Sequence, residues 1–170
     1  MALYGKGDYV VHPGQGICEV TGILERASQD GTRLEYELYP LTGTRMRICF
    51  PVDNEQALRR PVDEREARRL IEMMPQMPDD PFSDSRGWMV EEHFSERIRH
   101  GDCRDALSAA KTMYGRMEAA RSRGKNPQAC YRRLYQMAWS RASEELACAL
   151  GTSEERVSDL VERSFAKAGE

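Results

Sequence analysis

The spacing of apolar residues changes at Pro61. Before it, short runs of β-branched and aromatic residues alternate in part with polar ones: Tyr9-Val10-Val11, Ile17-Cys18-Glu19-Val20, Leu34-Glu35-Tyr36-Glu37-Leu38-Tyr39 and Met46-Arg47-Ile48-Cys49-Phe50. That two-residue period belongs to half-buried strands. Pro13-Gly14, Asp30-Gly31 and Thr42-Gly43 fall between the runs as turns, and Pro51 ends the last one. Strands this short each bury little surface. A small, strongly bent sheet closed into a barrel is therefore expected, since closure shares one core and removes exposed edges.

After Pro61 the period becomes helical. Asp63 with Glu66 marks a helix start, followed by a stripe of Ala67, Leu70, Ile71 and Met74. Pro75-Gln76-Met77-Pro78-Asp79-Asp80-Pro81 cannot continue it and reads as an extended linker. Four helices are expected beyond. The first starts near Ser83 or Asp84, carries Val90, Phe94 and Ile98, and stops at Gly101. The second runs from Asp102 to Gly124 with Ala106, Ala110, Met113 and Met117 on one face. The third starts at Asn126-Pro127, carries Tyr131, Leu134, Ala138, Ala142 and Leu146, and ends at Gly151. The last is opened by a Thr152–Glu155 capping box and faces inward through Val157, Leu160 and Val161. The reading is an α+β chain: a β-barrel over 1–60, a short helix and Pro-rich linker over 61–82, and a helical domain over 83–170.

Charge sharpens this division. The net value of −3 hides twelve Lys and Arg against six Asp and Glu in residues 86–141, flanked by acidic stretches over 61–85 and 142–170. A basic segment in a mildly acidic chain is the electrostatic footprint of phosphate contact, although solvated helix arginines give the same count. The five cysteines are odd in number and lack C-x-x-C spacing, so they read as small buried apolar residues and not as disulfides or zinc ligands. Glu91-Glu92-His93 and His100 complete no metal motif, Gly5-Lys6-Gly7 lacks the strand and helix of a phosphate loop, and no nucleophile has a patterned partner. Neither catalysis nor a cofactor or metal is expected. With no apolar span and no secretory leader pattern before the first strand, a cytoplasmic protein is expected.

The opening Gly7-Asp8, the Pro13 to Gly16 turn, Glu35-Tyr36 and the strand ending in Phe50-Pro51 stand in the order and spacing of one family. The chain resembles the CarD/CdnL transcription regulators, whose N-terminal domain is shared with transcription-repair coupling factors. The resemblance implies a Tudor-like barrel that binds the RNA polymerase β subunit, and a helical domain that contacts promoter DNA at the edge of the melted region. The family's polymerase-contacting arginine would fall on Arg26; a second would fall on Cys49, with Arg47 two residues earlier on the same face as its substitute. The family's wedging tryptophan would be Trp88, which points away from the Val90–Phe94–Ile98 stripe. Arg86, Arg97, Lys125, Arg132 and Arg133 would supply phosphate contacts that are largely independent of sequence. Trp139 reads as packing. A monomer that modulates open-complex stability is expected. Glu91 and Glu92 stand where the family has basic residues, which leaves open a polymerase-binding adaptor without the DNA wedge.

Overall fold

A computed structural model describes residues 1–43 and 45–170, in two compact units, Met1–Pro61 and Val62–Glu170.

The first unit is a four-stranded antiparallel sheet in the order β1 (Tyr9–His12), β2 (Gly16–Ser28), β3 (Gly31–Pro40), β4 (Ile48–Pro51), followed by a 3₁₀ segment, Val52–Ala57. Period-two alternation puts Tyr36 and Leu38 of β3 on the inner face, where they join Tyr4, Val10, Cys18, Val20, Phe50 and Leu58 in one core. Tyr36 carries the polar tip of that core: its hydroxyl donates to Glu55 and accepts from the Tyr4 N–H at 3.2 Å. The β2–β3 pairing runs out to Ser28↔Gly31, and the hairpin turns on Gly31, at φ 125, where a side chain would strain the backbone.

The closed barrel is not formed: among the described residues β1 and β4 do not pair, and the sheet is open. Both edge strands are only four residues long. The chain turns at Pro51 into the 3₁₀ segment instead of supplying a further strand, and returns only far enough for one bridge, Val11↔Arg59, on the outer edge of β1.

The second unit contains α1 (Glu64–Met73), a 3₁₀ turn (Met74–Gln76), α2 (Gly87–His100), α3 (Cys103–Ser122), α4 (Ala129–Leu150) and α5 (Glu154–Ala168). Early α3 packs on late α4, and late α3 on early α4, so the two run antiparallel down the middle. At one end Leu70, Ile71, Val157 and Val161 bring α1 and α5 onto Leu107 and Leu146; at the other, Val90, Phe94 and Ile98 bring α2 onto Met113 and Leu134. Trp139 is half-buried and packs against both clusters.

Three helix starts differ from the sequence reading. α2 begins at Gly87, because Asp84 accepts the Arg86 N–H instead of capping a helix of its own. α4 is capped at Gln128, two residues beyond Asn126. α5 is capped by Ser153, not Thr152: Gly151 takes the left-handed conformation and the Thr152 N–H closes back on Ala147, so Thr152 still belongs to the end of α4.

The Pro-rich stretch lies docked along α3. Lys111 donates to the Met77 carbonyl at 2.7 Å, Ser108 to Pro78 at 3.2 Å and Arg116 to Asp80 at 3.0 Å, while Thr112 accepts the Asp80 N–H. Positions 108, 112 and 116 recur at one helical turn, a polar ladder matched to an extended strap. The strap is latched onto α2 as well: Asp80 accepts from Arg97 at 2.6 Å and lies 2.8 Å from His93 Nε2, and Phe82 stacks on the His93 ring.

Candidate functional site

Two groups of side chains named from the sequence are assembled, one in each unit. In the sheet, β2 sets Arg26 directly opposite Arg33 of β3. Like charges at facing positions repel, and Glu35 resolves the conflict by placing one carboxylate oxygen by each guanidinium. Its side chain is only 6% exposed while both arginines are about half exposed. Arg26 Nε lies 2.9 Å from Glu35 Oε2, but no N–H is aimed to make a hydrogen bond there, so that contact is electrostatic. The other end of Arg26 donates to Cys49 Sγ at 3.2 Å.

Arg47 falls just before β4 and reaches Glu37 at 3.2 Å, and Glu37 faces Cys49 in the ladder. Arg26 and Arg47 are thus brought together around Cys49, on the sheet face opposite Tyr36 and Leu38. Ile23, which faces Tyr36 in the ladder, and Leu34 are exposed on the other face of the same hairpin. Glu35 and Arg33 belong to the site and were missed as site residues; the signal in the sequence was the Arg33-x-Glu35 spacing, which puts both on one strand face.

In the helical unit Trp88 is the second residue of α2 and is 60% exposed. The Arg86 guanidinium sits 5.6 Å from its ring centroid, a cation–π distance. Asp84 holds Arg86 there through two side-chain bonds of 2.9 and 3.0 Å, and the same arginine draws the Asp84 carboxyl down to about 2. Gly87 lies against Cys130, so the starts of α2 and α4 are neighbours, and Arg133 reaches across from α4 to α2. Arg133 is ion-paired with Glu91, which neutralises one of the two acidic residues following Trp88. Glu92 remains exposed.

The other named cations are placed differently. Arg97 lies in the strap latch, 30% exposed, between Asp80 and Asp105. Arg132 and Lys125 are exposed, Lys125 in the α3–α4 turn. The structure therefore groups Trp88 with Arg86 and, through Glu91, with Arg133, and sets Arg97 apart. His93 faces Asp80, and among the described residues no three His, Cys, Asp or Glu side chains could hold a metal ion. All five cysteines are free thiols. No helix among the described residues is long and apolar enough to cross a membrane.

The sequence from Tyr4 to Val62 matches the family model of the CarD-like/TRCF RID domain, which spans the whole sheet unit apart from its first three residues. No curated protein matches the chain.

Proposed function

For a chain whose residues 4–62 belong to the CarD-like/TRCF RID family, and which is thereby a transcription-related protein that interacts with RNA polymerase, we propose that the sheet unit grips the polymerase β subunit and the helical unit acts on promoter DNA to modulate open-complex stability. The grip uses the face bearing Arg26 and Arg47, where Glu35 and Glu37 hold the guanidiniums in fixed positions and lower the ordering cost of binding. The DNA arm rests on one observation: an exposed indole at the start of α2 with a cation against its ring. A flat apolar side chain stacked beside unpaired bases contributes about 1–3 kcal/mol, a tenfold to hundredfold change in a local equilibrium.

Tethering supplies the rest. The bound sheet raises the local concentration of a weak DNA binder, and a surface that prefers melted promoter shifts the equilibrium towards it. The protein acts as a cytoplasmic monomer, without catalysis of its own.

A second reading, a polymerase-bound protein adaptor, is favoured by a different observation: Arg86, Arg97 and Arg133 all face carboxylates of the same chain, which leaves Lys125 and Arg132 as the cations of the named set without an ion pair among the described residues. The lifetime of promoter open complexes separates the two. Wild type should prolong it; Trp88→Ala should lose that effect and keep polymerase binding; Arg26→Ala should lose both. Polymerase binding with no change in lifetime would favour the adaptor.

A further inference from the structure

A groove of about 500 Å³ lies between α1, with its following 3₁₀ turn, and α5. Ile71 and Leu160 form an apolar floor, and Arg68, Arg163 and Lys167 stand around it with Glu72 as the one acidic lining residue. The Ser164 hydroxyl donates to the Ile71 and Glu72 carbonyls at 2.9 and 3.3 Å, so the end of α1 is pinned to α5 and the groove is held open by a fixed contact.

The cations of this rim are out of keeping with their surroundings. Residues 142–170 carry three Lys and Arg against seven Asp and Glu, and two of those three, Arg163 and Lys167, line the groove. They stand four residues apart on one helix face, where like charges repel. Neither carries an ion pair among the described residues. Arg68 is paired with Glu64 at 2.9 Å, but both side chains are about 60% exposed, and such a pair exchanges readily for another partner. The acidic neighbourhood opposes a long polyanion at ranges up to the Debye length of about 8 Å, whereas a short segment need only meet the rim.

We propose that the α1–α5 groove docks an acidic amphipathic helix of a partner protein, which seats aliphatic side chains on Ile71 and Leu160 and presents carboxylates to Arg68, Arg163 and Lys167. A groove walled by two helices suits a third laid along it, and the volume, within the roughly 300–1,000 Å³ typical of binding pockets, accommodates anchor side chains while the helix backbone stays outside.

Fluorescence anisotropy with the full chain tests this. The probes are a labelled 14-residue peptide of leucine, glutamate and alanine, with leucines three and four residues apart; its glutamine-for-glutamate counterpart; and a labelled DNA duplex. The acidic peptide should bind wild type, and the glutamine peptide should bind roughly tenfold more weakly. Arg163→Glu with Lys167→Glu should weaken the acidic peptide by a similar roughly tenfold factor, and Leu160→Ser should weaken both peptides. Arg65→Glu, on α1 outside the groove, should change nothing. The proposal fails if wild type does not bind the acidic peptide, if the glutamine peptide binds as well, or if the double reversal leaves binding unchanged. Loss of duplex binding in the double reversal, without loss of peptide binding, would make the groove a nucleic-acid face.

Discussion

Glu35→Gln should loosen the β2–β3 hairpin and weaken polymerase binding together, because a single carboxylate holds apart two cations that the strand register forces to face each other. The substitution keeps shape and one acceptor oxygen, removes the charge, and sets an amide donor beside one of the two guanidiniums. Losing one partner of a fully buried pair costs about 3–5 kcal/mol, and exposed pairs contribute about 0–1 kcal/mol. Glu35 is at the buried limit while Arg26 and Arg33 are half in water, so an intermediate loss of about 1–2 kcal/mol follows. Hydrogen exchange by mass spectrometry on peptides covering residues 16–40 reads it directly: amide protection should fall about 5–30-fold. Arg33→Ala removes the facing cation, so Glu35→Gln should cost about half as much, roughly 0.5–1 kcal/mol, in that background. Protection unchanged within twofold, or the same loss with and without Arg33, would refute the claim that Glu35 acts as a shared counter-charge.

The strap latch should be at least as sensitive: Asp80→Asn should lower stability by about 2 kcal/mol in urea unfolding followed by tryptophan fluorescence, since it weakens a buried acceptor shared by His93 and Arg97. Burial pushes the Asp80 carboxyl up, but hydrogen bonds from His93, the Phe82 N–H and Arg97 outweigh it and hold the group below its ordinary 3.8. A carboxyl depressed by folding stabilises fully above the unfolded value and loses that contribution as pH falls through the folded one. The gap between wild type and Asp80→Asn should therefore close as pH is lowered from 3.8, and a constant gap would exclude the ionic latch. Trp88→Ala should change the urea midpoint by less than about 0.5 kcal/mol equivalent, because the indole is exposed. Leu146→Ala, in the fully buried core, should cost about 2–5 kcal/mol by the same measurement. Glu91→Arg with Glu92→Arg should strengthen salt-dependent binding to open-complex DNA, and no gain in a variant that still binds polymerase would count for the adaptor.

What was legible in the sequence follows from the range of the interactions that decide it. Asp63 and Asp102 cap their helices as expected because the cap and the N–H it accepts lie three residues apart, and the Val90–Phe94–Ile98 stripe is buried because helical period alone sets its face. The open sheet was not legible: closure requires β1 and β4, the strands furthest apart in the chain, to pair, whereas β1 bridges instead to Arg59, forty-eight positions from Val11. The strap misled for a physical reason. Proline excludes helix but leaves carbonyls exposed as acceptors, and their donors, Ser108, Lys111 and Arg116, are thirty or more residues further along, where they read as ordinary polar helix positions. Composition could place the basic residues but not their partners. Arg97 and Arg133 counted towards a phosphate-binding surface until the fold set Asp80 and Glu91 beside them. The inverse holds at α5, where an acidic segment concealed two cations that face one groove and have no ion pair among the described residues. Charge summed along a chain therefore measures the field felt at a distance, whereas binding surfaces depend on which charges the fold leaves unmatched.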